Sequence, residues 1–492
     1  MENLNILLLT AFTPLLGVVL LLLIPEKYNT LCSNFAFFVS CLTFLLSLLL
    51  WIKFDSGSST FQFLYTADWL SLFNFYYVIG ADGVSLFFII LTAFLVMLCV
   101  LVSWGSVNYR SKDYLICFLL LEFLLIQVFS VLDLLLFYIF FESVLMPMFL
   151  IVGIWGSRER KIRAAYQFFL YTLIGSILML LGILIVYFQA GTTDLQILWN
   201  LEFSERKQLI LWLSFFFSFA VKIPMMPFHI WLPEAHAEAP TAGSVILAGI
   251  LLKMGAYGFL RFSLPMFPLA TIFFTPLVFV LSLIAAVYAS LTTLRQVDLK
   301  KIVAYSSISH MGFVTIGIFT LNVQGLEGSI FLMLSHGLVS SALFLCIGIL
   351  YDRYHTRVIK YYNGLVKVMP IFSIFFLFFS FANIGFPGTS SFVGELLVLL
   401  GAFQSSIILV SCISFSIVLS AAYSIWMFNR IMFGTLKLEY ADTFQDVSRR
   451  EFIMLLLITF LVLWMGIYPE SFLKEMHSSI FNLLEQVNCI QK

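Results

Sequence analysis

The sequence predicts an all-α polytopic membrane protein of about fourteen transmembrane helices, the seventh and twelfth of them discontinuous. Three observations carry that prediction. Of the 492 residues, 62% are hydrophobic and 11% charged, where a soluble domain holds about 25% charged residues. Loops rich in Gly, Pro and charge cut the chain into fourteen apolar stretches, each near the ~20 residues a helix needs to cross a ~30 Å hydrocarbon core. Lysine and arginine fall unevenly on alternate connections, as the positive-inside bias requires of a chain that threads back and forth.

The stretches run over 5–24, 31–52, 84–104, 114–131, 133–155, 164–189, 208–230, 241–262, 267–293, 301–321, 327–350, 369–402, 406–433 and 451–468. No basic leader region or small-residue cleavage site accompanies the first, so it is expected to remain as a spanning helix. With Lys222 and Lys253 set apart, eighteen lysines and arginines lie on one side and six on the other. Fourteen spans give this skew with both termini on the less basic side, and one miscounted span would scramble it. The connection 54–83, with Asp55, Asp68 and Asp82, then falls on the less basic side. "SRERKIRAAY" from Ser157 reads as a solvated loop that sets topology.

Spans seven and twelve share an opening and then break: "SFAVKIPMMPF" from Ser218 and "SFANIGFPGTSSF" from Ser380. Proline removes a backbone donor and glycine permits unwinding. Paired Gly/Pro-broken helices mark inverted-repeat transporters, with ion sites at the breaks. Unwound backbone at membrane depth must line protein or water, so the breaks predict polar cavities.

Composition also excludes. With 26 basic and 26 acidic residues, no long-range field recruits nucleic acid. The seven cysteines form no C-x-x-C pair and read as small core hydrophobes. GxGxxG, P-loop and iron–sulfur cysteine patterns are absent from the sequence.

The candidate functional residues are the ionisable groups inside the spans. Glu142, Lys253, His310 and His336 lie roughly 14 to 17 Å along their helices at ~1.5 Å per residue, and Lys222 adjoins the first break. Glu395 follows the second. Glu122 and Glu142 flank the tight turn at Asp133, which can bring both to similar depth. A row of such groups on different helices can hand protons along, since desolvation moves lysine and carboxylate towards neutral titration and histidine already titrates there. Each has a bland reading. Lys222 and Lys253 are too deep to snorkel, and Lys222 needs a counter-ion, which makes Glu142 its expected partner. For His310 and His336, neighbouring serines leave a satisfied core histidine as open as a relay. His229, Glu234, His236 and Glu238 in "FHIWLPEAHAEAP" fit no standard zinc spacing, so no metal is expected and they read as a loop network or proton entry point.

These residues also carry a resemblance. "LLFYIFFESVLMPMFLIVGIWG", "FAVKIPMMPFHIWLPEAHAEAPTAGSVILAGILLKMGAYGFLRF", "QVDLKKIVAYSSISHMG", "LMLSHGLVSSALFLCIGILYDR" and "FPGTSSFVGELLVLLGAF" resemble the antiporter-like membrane chains of respiratory complex I, in the form carried by plants, algae and protists. The resemblance spans nearly the whole chain and is strongest from Glu142 to Glu395. It implies two inverted five-helix repeats at 114–262 and 263–433, preceded by helices 1–3 with their outer-side loop at 1–113 and followed by helix 14 and a tail at 434–492. It implies that Glu142 and Lys222 are the family's carboxylate and lysine pair, Lys253 its central lysine, His310 and His336 connecting histidines, and Glu395 a terminal carboxylate where sister chains usually carry lysine. It further implies proton translocation driven by quinone reduction elsewhere. No cofactor would be bound by this chain, and FMN, iron–sulfur clusters and ubiquinone would reside in other subunits. The implied partners are the other membrane-arm subunits, above all two further antiporter-like chains, the lateral helix of a sister subunit, and lipids such as cardiolipin. The implied location is the mitochondrial inner membrane, with both termini towards the intermembrane space; the 56 phenylalanines accord with synthesis in an AT-rich organelle. Two other classes stay open: a Mrp-type cation/proton antiporter subunit, which shares the motifs, and a passive scaffold between pump modules.

Overall fold

The structure, a computed structural model, describes residues 5–70, 74–107, 109–436 and 445–489. Lys437 and Lys492, counted in the charge tally, and the side chain of Cys489 lie outside the described residues. Among those described, twelve helices are long and apolar enough to cross a membrane. The two expected spans missing from that set are the two with internal breaks. In the first, the helix Glu205–Lys222 stops at Ile223, where Pro224 and Pro227 supply no amide hydrogen. The Phe228 amide turns back to the Met225 carbonyl at 2.7 Å before the short helix Trp231–Glu238 begins. In the second, Pro370–Ile384 ends on Gly385 at φ 83°, a left-handed conformation that glycine adopts without steric cost. The helix Ser390–Ser405 then resumes. A third, milder irregularity was not expected. The helix around Glu142 changes register at Val144, where Pro147 cannot donate to the Ser143 carbonyl.

Short polar side chains start many of the helices. Asp82 and Ser85 form a reciprocal capping box, Ser448 and Glu451 another, and Asn5, Asp133, Asp298 and Asn322 each accept a first-turn amide. These bonds satisfy amides that the helix itself leaves unpaired.

The chain divides into two compact units. One comprises 1–223, 250–275 and 474–492, and the other 224–249 and 276–473. In the first, Ile6–Leu23 packs on Asn29–Lys53 and Ser111–Ser130, and Lys161–Ala190 packs along Glu205–Lys222. In the second, Val323–Tyr354 lies against Leu299–Phe319 and Ser390–Ser405. Burial sorts the helices by role. Thr241–Met266, Leu299–Phe319 and Val323–Tyr354, which carry Lys253, His310 and His336, are buried over 94–100% of their central windows. Pro268–Leu294 and Arg449–Ile467 are buried over only 33% and 28% and turn Phe273, Val280, Ile453 and Phe460 outward, as helices facing lipid do.

Three expectations are amended. The connection 54–83, read as a loop, contains an antiparallel hairpin in which Gln62–Leu70 pairs with Phe75–Ala81, Tyr65 facing Ile79 and Ala67 facing Tyr77. The tail after the last span is a helix, Glu470–Cys489, whose buried Phe472, Met476, Ile480, Leu484 and Val487 form the one-sided stripe of an amphipathic helix. The cysteines are not all core residues: Cys32, Cys99, Cys117 and Cys346 are buried, whereas Cys412 is exposed on a peripheral helix.

Candidate functional site

In the first unit, Lys222 occupies the last turn of Glu205–Lys222, just before the proline break, and is 2% exposed. Its ammonium sits 4.3 Å from the centre of the Phe141 ring and 3.5 Å from the Phe141 carbonyl. A desolvated contact of this kind contributes ~2 kcal/mol, which offsets only part of the cost of burying a charge. Glu142 follows Phe141 directly, and its carboxylate interacts electrostatically with Lys222. Neither carboxylate oxygen makes a full hydrogen bond among the described residues; the Ser176 hydroxyl, close enough to interact with the group, donates to the Leu173 carbonyl at 2.9 Å. The pair is therefore adjacent yet not locked together.

Lys253 is fully buried on the neighbouring helix. The α-helical turn Leu252–Gly258 that carries it is flanked by two π-helical segments, Leu247–Leu251 and Phe259–Ser263. Such widened turns are rare and concentrate at functional sites. Gly255 lets the two lysine-bearing helices close up: a Cβ there would stand 2.8 Å from the Phe219 carbonyl and 3.1 Å from Lys222 Cβ. Glu122, also fully buried, accepts a hydrogen bond from the Thr43 hydroxyl.

In the second unit the groups touch. His310 Nδ1 lies 3.3 Å from Glu395 Oε1, and the His310 and His336 rings stand 5.6 Å apart, centroid to centroid. His310 Nε2 has no hydrogen-bond partner among the described residues. Glu395 is 6% exposed and reaches back to the helix break, where a Cβ on Gly385 would come within 2.5 Å of Oε2. The glycine that ends one half-helix thus also makes room for the carboxylate on the next.

The four residues expected as a loop network are dispersed. Glu234, His236 and Glu238 lie on the helix Trp231–Glu238 rather than on a loop. Glu234 pairs with Lys301 at 2.5 Å, Glu238 with Arg357 at 3.4 Å, and His236 stacks on Phe344 at 4.6 Å. His229 stays in the break, half-buried. Among the described residues no three His, Cys, Asp or Glu side chains gather as metal ligands.

The charge tally also needs amending. Arg261, Lys300 and Arg357, tallied with the charges of the connections, are 5%, 1% and 0% exposed. Arg261 is ion-paired with Asp82, Lys300 donates to the Ala239 carbonyl at 2.7 Å, and Arg357 lies between Glu238 and Asp298. Removing all three leaves the skew in place. For two of them the signal was present in the sequence: Arg261 and Lys300 sit at or inside the edge of an apolar run, where a charge needs a partner, whereas Arg357 lies in the polar connection after 327–350.

Comparison with known proteins places the chain in a family. A profile described as NADH:quinone oxidoreductase/Mrp antiporter, TM, matches residues 131–420, and the chain belongs to that family of membrane proteins. Its relatives there include NADH-ubiquinone oxidoreductase chain 4 of Chondrus crispus, 72% identical over 98% of each chain, and that of Marchantia polymorpha, 59% identical over 96% of this chain and 95% of the other. Among solved structures, a chain of respiratory complex I from Thermus thermophilus with bound NADH matches with a TM-score of 0.90 and 30% identity, over 98% of this chain and 99% of that one. A chain of the Mrp complex from Dietzia sp. shares the fold, with a TM-score of 0.87 at 18% identity over 100% and 99%.

Proposed function

We propose that this chain is a proton-translocating membrane-arm subunit of NADH:ubiquinone oxidoreductase, complex I, and acts as a non-redox part of that translocase. The single observation that carries the reading is the placement of Lys222, Lys253, His310, His336 and Glu395 inside the protein, at or near two helix breaks, in a chain with chain 4 relatives over nearly its full length. None faces lipid. In this reading Lys222 takes up a proton under the bias of Glu142, Lys253 and the histidines pass charge on, and Glu395 exchanges it with the far side. Glu122, held by Thr43, tunes the first unit. Glu234 with Lys301 and His229 in the break stand at the point of proton entry.

Flavin, iron–sulfur clusters and quinone belong to other subunits, and the chain binds none itself. Its partners are the remaining membrane-arm subunits, and its place is the mitochondrial inner membrane, with both ends towards the intermembrane space. The Mrp-type antiporter reading has the shared fold in its favour but lacks the sequence support: 18% identity against 72%. Replacing Lys222 by alanine in the assembled complex is expected to abolish proton yield and lower quinone reduction strongly. An unchanged yield, or sodium-dependent proton flux without NADH, overturns the proposal.

A further inference from the structure

The helix Thr241–Met266 carries polar groups that this relay does not use. Beyond Lys253 come Tyr257 and Arg261, the latter eight residues and about 12 Å further along the axis. Arg261 forms a two-pronged ion pair with Asp82: Nη1 donates to Oδ2 at 2.9 Å and Nη2 to Oδ1 at 2.6 Å. Its Nε donates to the Tyr257 hydroxyl at 3.1 Å, which donates in turn to the Phe129 carbonyl at 3.0 Å. The Phe61 ring covers the guanidinium at 5.0 Å, Trp199 packs on Phe61 at 5.6 Å, and the Trp199 indole donates to the Arg261 carbonyl at 3.3 Å.

Beside this plug lies a cavity of 270 Å³, lined by Ser59, Thr60, Gln196 and Asn200 together with Asp82 and Arg261 themselves. The first four are exposed. A polar vestibule therefore runs from the surface to the ion pair, two helical turns short of Lys253.

The chemistry of the plug is that of a barrier. Arginine does not give up its proton in a protein, so Arg261 cannot serve as a carrier. The Tyr257 proton is committed to the Phe129 carbonyl. Burial pushes the Asp82 carboxyl up, but the charge and hydrogen bonds of Arg261 hold it below its ordinary range, so the pair stays charged and closed at neutral pH. Nor does stability explain it well, since desolvation cancels much of the attraction in a buried ion pair.

We propose that the Asp82–Arg261 pair, capped by Phe61, is a proton seal: it shuts the vestibule off from Lys253, so that a proton on that lysine cannot leave through the first unit. The proposal rests on the reading of Lys253 as a proton carrier. It is tested on the whole complex in liposomes, by the decay of an imposed pH gradient and by protons moved per electron. Asp82→Asn, which strands Arg261, is expected to raise passive proton conductance at least threefold and to lower proton yield. Adding Lys253→Met is expected to remove the leak. The paired change Asp82→Leu with Arg261→Met replaces the ion pair by packing and is expected to stay tight. Should Asp82→Asn fail to assemble, Arg261→Lys takes its place, because an ammonium cannot make the two-pronged contact, and it is expected to leak. Membranes as tight as wild type with the single variants, a leak that survives Lys253→Met, or a leaking apolar pair would each overturn the seal. Full proton yield after Lys222→Ala would instead remove the relay reading, which keeps the two failures apart.

Discussion

The two units handle a buried acid and base in different ways. In the first, Lys222 leans on the Phe141 ring and the Glu142 oxygens make no full hydrogen bond among the described residues, so the charges feel each other without contact. In the second, His310 and Glu395 meet at 3.3 Å, with His336 close behind. A separated pair changes its protonation without breaking a bond, whereas a touching pair must give one up. In the proposed relay, the first arrangement suits uptake and hand-over, and the second suits holding a proton until it is released.

Substitutions in each unit test this contrast. The largest effect is expected from Lys222→Met, which removes the base and strands Glu142: quinone reduction coupled to pumping should fall at least tenfold, as measured in reconstituted complex. Glu142→Gln keeps shape and removes only the bias, so a fall of about threefold to tenfold is expected. A loss as deep as that of Lys222→Met would mean that Glu142 itself carries the proton. In the second unit, Gly385→Ala pushes a methyl group into the Glu395 carboxylate and forces a non-glycine residue to φ 83°, a backbone cost of ~1–3 kcal/mol. Proton yield should drop several-fold with subunit content reduced. An unaltered yield would show that Glu395 does not need its seat at the break.

The smallest effect concerns Tyr77 on the hairpin, outside the spans. Its hydroxyl donates to Gln127 Oε1 at 2.9 Å, and burial pushes it up to about 12. A raised value means that its contribution is complete below the ordinary tyrosine value of ~10 and is lost as pH climbs towards 12. Tyr77→Phe should cost ~1 kcal/mol and flatten the alkaline fall in hairpin protection measured by limited proteolysis.

What could be read from the sequence were the features with a local signature. Lys222 beside Pro224, Lys253 in an apolar run and the glycines after Ile384 each break a local rule, and each marks a place where the structure does something special. The features that escaped depend on distant partners. Asp82 and Arg261 are separated by 179 positions, so neither sequence neighbourhood names the other. The hairpin escaped for another reason: a search for long apolar runs passes over strands of nine and seven residues, although their aromatic and β-branched residues favour a pleated surface. The helix Glu470–Cys489 is too polar for the same search and shows itself only by its spacing.

That last helix has a consequence for how the molecule is made. Its residues from Lys474 onward pack with the first unit, where the Ser479 hydroxyl accepts the Gly83 amide at 3.0 Å and the Ser478 hydroxyl donates to the Ser58 carbonyl. The opening third of the polypeptide is thus inserted long before the piece that closes over it has been translated, and contacts spanning some 396 positions are the slowest to find. Early helices must wait, half-dressed, for the ribosome to deliver their final strap.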